Sequence, residues 1–418
     1  MEKNVKMAII AVVIIGIIIG AVLYYQFYYA GKPAEKTEIL IGAPVSISGQ
    51  FSKLGEEIKR FYEFWAHQVN SEGGIYVAEY GKKLPVRLIF YDDKSDPTTA
   101  ATVTERLITV DKVDFVLAPY SSSITAAVST ITEKYHYPLI TIYASSPSIY
   151  TRGFEYLFSL QPPGYTHAWS FIDMCVNLGV ETIAIITPKL TWPLVQAGGA
   201  LNYSERVGLN VVLYEEVEAE ATDLTPVITK LQSLNPDAVI VCAQYHTADL
   251  FVRQSKELNY RPKIVFTANV LGLPEFREAW GSDLEGFCDF YTTPISFIKT
   301  EEVNATREAF KELFNREPSE FWFSYISCQI LQQAIEKAGT LDRDAVREAL
   351  LSNEFDTIMG SVKFGEFEGQ KYLNLYATTW VIQIQNGEPK LVWPPSWHGI
   401  EATSEPIYPI PSWEELSS

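Results

Sequence analysis

The chain has 418 residues, enough for two or three domains that each bury a core of their own. Apolar residues make up 47% and charged residues 20%, the balance of a globular rather than a disordered chain. The formal net charge is −18 with no lysine or arginine run to set against it, which excludes the basic patch that nucleic-acid phosphates require.

The first element in chain order is apolar. Residues 7–23 carry no charge, Lys3 and Lys6 precede them, and Tyr24, Tyr25, Phe27, Tyr28 and Tyr29 follow. Counting that aromatic flank, the run reaches the roughly 20 residues that cross a bilayer, and tyrosines suit its interface. A cleavable signal peptide is the competing reading, but the run is long and no small-x-small site closes it. Residues 1–31 are therefore predicted to be a transmembrane helix, a single-pass N-terminal anchor in the cell membrane. The lysines put its start in the cytoplasm and everything beyond about residue 31 outside.

Residues 32–38 are a polar linker, and 39–44 (ILIGAP) read as the first strand. Leu54, Ile58, Phe61, Tyr62, Trp65 and Val69 recur at helical spacing, so a helix is predicted over 54–70. Residues 84–91 are a strand. Asp96-Pro97-Thr98 is a helix start, with aspartate as cap and proline in the first turn. Strands follow over 182–187 and 209–214 with a helix between them, helices dominate 300–351, and 377–384 is a late strand. The chain ends in a proline- and tryptophan-rich tail.

Within this run one unit occurs twice. Val113-Asp114-Phe115-Val116-Leu117 leads to Tyr120, a serine run, an amphipathic stretch and Tyr137-Pro138-Leu139-Ile140. Pro236-Asp237-Ala238-Val239-Ile240-Val241 leads to Tyr245, a second amphipathic stretch and Arg261-Pro262-Lys263-Ile264-Val265. Each is a βαβ unit, and the distance from aspartate to proline is nearly equal in the two. Duplication implies two similar α/β lobes with parallel sheets. Ligands of such sheets sit beyond the carboxyl ends of the strands, so two facing lobes make a cleft.

Catalytic signatures are missing. His67, His136, His167, His246 and His398 are scattered without metal-ligand spacing, and no nucleophile elbow, phosphate loop or dinucleotide fingerprint occurs. Asp92 and Asp93 resemble a carboxylate pair but stand where a turn meets the Asp96 cap. Cys175, Cys242, Cys288 and Cys328 lack any zinc spacing. Outside the cytoplasm they are compatible with two disulfides or with buried thiols. No catalytic group, metal or cofactor is expected.

Groups suited to a small polar ligand cluster at strand ends. Ser121-Ser122-Ser123 opens a helix, where hydroxyls and unpaired N–H groups meet the positive end of the helix dipole, a natural carboxylate site. A serine run of this kind also serves as a plain cap. Tyr143-Ala144-Ser145-Ser146 ends the next strand, and Thr191-Trp192 and Gln244-Tyr245 stand at the equivalent ends in the second lobe.

At these residues the chain resembles the type I periplasmic solute-binding proteins of ABC importers, in their leucine/isoleucine/valine-binding branch. Ile47-Ser48-Gly49 with Gly55, Asn70-Ser71-Glu72-Gly73-Gly74-Ile75, Tyr91-Asp92-Asp93-Lys94-Ser95-Asp96-Pro97, Arg152-Gly153, Ala338-Gly339 and Gly360-Ser361-Val362-Lys363-Phe364 carry the resemblance, over about residues 39–393. It implies an α/β fold of two Rossmann-like lobes joined by three crossover strands. One lobe would comprise 37–159 and 293–372, the other 160–292 and 373–395, with 396–418 as a tail. It implies a ligand carboxylate held by Ser122 and Ser145 with backbone help from Tyr143 and Ala144, Trp192 closing over it, and Tyr245 contributing from the second lobe. Asn269 stands where amino-acid binders of the family place an acid against the ligand's ammonium. An asparagine cannot neutralise that charge, which points to a ligand without one. The expected protein is a monomeric solute-binding protein, not an enzyme, that captures an amino acid or a related carboxylate or amide for an ABC permease. A sensor ectodomain is the rival within the binding class, and an extracytoplasmic α/β hydrolase or transferase the rival outside it.

Overall fold

A computed structural model of the chain describes residues 14–21, 36–243, 245–268, 270–397 and 400–416. The first lobe begins with β1 (Ile39–Val45), a hairpin of β2 (Ile75–Val77) and β3 (Lys82–Leu84), then β4 (Val86–Asp92), β5 (Phe115–Val116), β6 (Leu139–Thr141) and β7 (Leu157–Ser159). β1 lies between β4 and β5, parallel to both, with Ile39 opposite Val86 and Ile41 opposite Phe115. A parallel bridge between Tyr120 and Tyr143 carries the sheet across to β6 and β7. The predicted strand over 84–91 is split, because Pro85 interrupts it and sends β3 into the hairpin.

The second lobe is a seven-stranded sheet. It takes β8 (Thr182–Pro188), β9 (Asn210–Val217), β10 (Ala238–Val241), β11 (Ile264–Thr267) and β12 (Cys288–Tyr291), in spatial order β9-β8-β10-β11-β12 and all parallel. The chain then returns to the first lobe, where β13 (Glu354–Thr357), β14 (Gly360–Phe367) and β15 (Gln370–Asn374) extend its sheet through the pairing of Leu373 with Ser159. It crosses once more to add β16 (Trp380–Gln385) and β17 (Glu388–Trp393), antiparallel, to the edge beyond β12. The chain thus passes between the sheets three times, after β7, after β12 and after β15. β10 is apolar and buried throughout, and β8 is buried from Ile183 to Pro188, as strands covered by helices on both faces are.

The sequence repeat has a structural meaning. Asp114 accepts from the Leu40 N–H at 2.8 Å, at the start of the neighbouring β1. Asp237 accepts from the N–H groups of Glu181 and Thr182 at 3.2 and 3.0 Å, at the start of the neighbouring β8. In each lobe the duplicated aspartate clamps the adjacent parallel strand where it enters the sheet. Lys36 and Lys263 complete the two clamps with ion pairs of 2.7 and 2.5 Å.

Helices fix the lobes through their buried faces. The helix Ser52–Ser71 buries Phe61, Tyr62, Phe64 and Trp65. It packs on the late helix Trp322–Ala338, with ring centroids 4.9 Å apart for Phe61 and Trp322 and 5.4 Å for Phe64 and Tyr325. A Cβ on Gly55 would stand 2.2 Å from the Ser46 carbonyl, so only glycine allows the helix to approach the end of β1 this closely. Asp96 caps the helix Pro97–Thr109 as its sequence requires, accepting from the Thr99 N–H at 2.7 Å.

The C-terminal tail is part of the second lobe. β18 (Ser396–Trp397) and β19 (Ile400–Glu401) pair antiparallel, and the segment beyond them runs back to the second sheet. There Gln383 and Gln385 donate to the Ile407 and Glu405 carbonyls, and the Ile410 N–H donates to Lys263 O at 2.8 Å. Trp413 is buried, donates to Tyr260 O at 2.9 Å, and receives the Arg261 guanidinium over its ring at 4.2 Å.

Two expectations change here. Among the described residues no helix is long and apolar enough to cross a membrane. Of the expected anchor only residues 14–21 are described, and they are helical and exposed. Residues 1–13 and 22–31 lie outside the described residues. The transmembrane helix is corrected accordingly, and with it the single-pass tether to the cell membrane. The four cysteines, left open between bridges and thiols, are all free and buried.

Candidate functional site

In the first lobe the site is built on the carboxyl ends of β5 and β6, which the Tyr120–Tyr143 bridge places side by side. After β5 the chain turns at Ser121, whose φ of +71° and ψ of 152° belong to a region normally left to glycine. The turn aims Ser122 and Ser123 into the first turn of the helix Ser122–Lys134, where the Ser121 hydroxyl accepts from the Ile124 N–H at 3.4 Å. Ser122 Oγ accepts from the Ser146 N–H at 3.3 Å, tying the helix start to the loop after β6. Ala144 is fully buried, and its carbonyl accepts from Tyr150 OH at 2.6 Å. That bond sets the course of the chain on either side of it, at Tyr143 and Ser145.

In the second lobe Trp192 opens the helix Thr191–Arg206 beyond β8, and Tyr245 opens the helix Tyr245–Glu257 beyond β10. Because β8 and β10 are adjacent and parallel, both residues stand at one edge of the sheet. Trp192 meets the first lobe. A Cβ on Gly164 would lie 3.6 Å from both Ser145 Oγ and Trp192 Nε1, and Gly164 itself donates to Ser145 O at 2.9 Å. At this crossover the indole of one lobe and the serine of the other both come up to Gly164. Tyr245 is 40% exposed with its ring edge-on to Phe276. Asn269 lies outside the described residues.

Beside the predicted Tyr143 and Trp192, further aromatic groups line the same space. Phe51, Tyr120, Tyr143 and Phe321 form an aromatic wall on the first lobe, with centroids 4.9 to 6.3 Å apart. On the other side Trp192 packs with His167 and Phe290. Burial holds His167 neutral, lowering its imidazole to about 4, while its Nε2 faces the Pro162 carbonyl at 3.3 Å. Tyr143 joins the late segment to the wall, its hydroxyl accepting from the Phe323 N–H at 3.1 Å and donating to Glu320 O at 3.2 Å. Burial raises that hydroxyl well above its ordinary value. The walls combine hydroxyls, one helix N-terminus and aromatic faces. That set binds and orients a small polar molecule, and among the described residues no group of acidic, histidine or cysteine side chains could hold a metal.

Residues 38–388 match the family model described as periplasmic binding protein. The chain belongs to that family. As a member it is an extracytoplasmic solute-binding protein, one that captures a small molecule for delivery to an ABC importer rather than transforming it. The Leu/Ile/Val-binding protein homolog 7 of Brucella abortus is 24% identical over 380 residues, covering 87% of this chain and 94% of its own. Among solved structures, the LivJ substrate-binding protein of Streptococcus pneumoniae in complex with isoleucine is 21% identical with a TM-score of 0.65, over 84% of this chain and 98% of that one. An R. palustris solute-binding protein in complex with benzoate is 18% identical with a TM-score of 0.63, over 91% and 99%. These likenesses confirm the two-lobed fold.

Proposed function

We propose that the solute is a small carboxylate, held at the start of the helix Ser122–Lys134 and closed over by Trp192. The observation that carries this reading is the convergence of Ser145 Oγ and Trp192 Nε1 on Gly164, beside the hydroxyl of Ser122. Hydroxyls and helix N–H groups satisfy a carboxylate's oxygens, and the helix dipole favours its charge. The two ligands of the related structures differ in everything except that group, since isoleucine and benzoate share only the carboxylate. A permease of the ABC class is the partner that receives the solute. Mass spectrometry of whatever the purified protein releases on denaturation tests the reading, and a carboxylate is expected. Ser122→Ala and Trp192→Ala should each leave the protein folded. Losing a charge-assisted hydrogen bond costs about 1.5–3 kcal/mol, so the serine variant should bind its carboxylate about tenfold more weakly or worse. A released solute without an acid group would overturn the assignment.

A further inference from the structure

Trp397 is exposed, yet its indole N–H is committed. It donates to the Tyr376 carbonyl at 2.9 Å, on the third passage between the sheets. The two residues belong to different halves of the molecule. Tyr376 is bound into the first lobe: its N–H donates to Asn374 Oδ1 at 3.1 Å, at the end of β15, and its hydroxyl donates to Glu354 Oε2 at 3.0 Å, on β13. Trp397 is held to the second. It lies on β18, and the chain just past the β18–β19 pair is fixed to β17 by Thr403, whose N–H donates to Leu391 O at 2.7 Å and whose hydroxyl accepts from the Leu391 N–H at 2.9 Å.

Two residues past Tyr376 the same passage has already changed lobes. Thr378 Oγ1 lies 3.4 Å from Ser170 Oγ, and Thr379 Oγ1 donates to that hydroxyl at 3.0 Å, on the helix Trp169–Asn177, which packs on β16 and β17. The change of lobe therefore falls at Ala377, whose N–H still turns back to Asn374 O at 3.1 Å. The other two passages come to the same place. Leu160, Thr292 and Ala377, one from each, line a single small cavity together with Trp397 and Ile400 of the tail. Hinge rotation of one lobe against the other is absorbed by such connecting residues. The tail reaches over them from the second lobe to the first-lobe side of Ala377, so rotation there must stretch or break the bond from Trp397 to Tyr376.

We propose that the β18–β19 segment is a latch across the hinge. Trp397 closes it on Tyr376 and holds the lobes at the angle seen here, so the tail governs how freely the solute-free protein changes that angle. The latch acts on the connection between the lobes and is independent of which solute the cleft takes. One neutral hydrogen bond carries it, and losing such a bond should raise the population at other lobe angles about two- to tenfold.

Pulsed electron–electron distance measurements on the solute-free protein read this directly. Spin labels go on Val110→Cys in the first lobe and Leu234→Cys in the second, both exposed positions, while the four native cysteines are buried. Trp397→Phe keeps a ring in place and loses only the N–H. It should broaden the interlobe distance distribution, with the share outside the wild-type peak rising about two- to tenfold. Ser404→Ala removes a tail bond that stays within the second lobe, from Ser404 Oγ to Gln385 Oε1 at 2.6 Å, and should leave the distribution as it is in wild type. An unchanged distribution in Trp397→Phe would overturn the latch. Equal broadening by Ser404→Ala would overturn it as well, by assigning the effect to the packing of the tail.

Discussion

Removing the Tyr143 hydroxyl tests how the late segment is locked to the cleft. In Tyr143→Phe the ring remains, with its edge contact to Phe321 at 4.9 Å, but two backbone groups lose a partner. The Glu320 carbonyl keeps the bond that Thr293 donates at 3.4 Å, so its loss is partial. The Phe323 N–H is in the first turn of its helix, where no carbonyl of that helix precedes it, and Phe323 is 1% exposed. Leaving such a donor unsatisfied costs about 1–3 kcal/mol, and the net value of the second bond adds about 0.5–1 kcal/mol. A loss of about 2 kcal/mol is expected, read as a lower midpoint in urea at an unchanged slope. Because burial keeps this hydroxyl protonated throughout the neutral range, the difference should be flat between about pH 5 and pH 9. A change below about 0.5 kcal/mol would show that water replaces the hydroxyl without penalty, and that Tyr143 does not hold the segment.

Other expectations follow from single contacts. Asp237→Asn removes the clamp on β8; the ammonium of Lys263 and the N–H donors hold its carboxyl down at about 2, from 3.8, worth about 2 kcal/mol at 1.36 kcal/mol per unit. A depressed carboxylate stabilises above its unfolded value and ceases to as pH falls through its folded one, so in thermal melts the gap between wild type and variant should start to narrow near pH 4 and close at about pH 2. A gap that persists undiminished in acid would assign the loss to packing instead. Gly199→Ala would press a Cβ to 1.9 Å from Tyr165 O, so the helix bearing Trp192 must shift; solute affinity should fall along with stability, and retention of both would contradict the packing described. Saturating solute should contract the radius of gyration in solution scattering, since closure brings the lobes together. An identical profile with and without solute would place the ligand within one lobe.

The two-lobed fold was legible because its signal is local and repeated. Asp114 and Asp237 precede apolar runs at matched spacing, and each performs the same clamp in its own lobe. The carboxyl ends of β5, β6, β8 and β10 followed from that alternation, and with them the neighbourhoods of Ser122, Ser145 and Trp192. The contacts of the Glu320 backbone were not legible, since only the folded chain brings Thr293 and Tyr143 to its carbonyl. His167 was equally hidden, since burial by Trp192 and Phe290 depends on three distant segments. The apolar run near the N-terminus shows the opposite failure. Hydropathy alone favours a bilayer-spanning length, but among the described residues no helix is long and apolar enough to cross a membrane.

The return of the tail to the second sheet bears on the order in which the protein can mature. β16 and β17 come from the last tenth of the chain, and Ile410 and Trp413 seal the edge at Lys263 and Tyr260. The first sheet likewise waits for β13 to β15 before β7, already paired with β6, has its second neighbour. During synthesis, then, neither half has its full complement of strands until ribosomes have made nearly everything. A chain emerging from its N-terminus remains an open, incompletely paired polymer for most of that time, and such chains are the ones that chaperones hold and translocation pores can thread. Reaching the terminus, rather than finishing any one half, is what commits both to a closed topology.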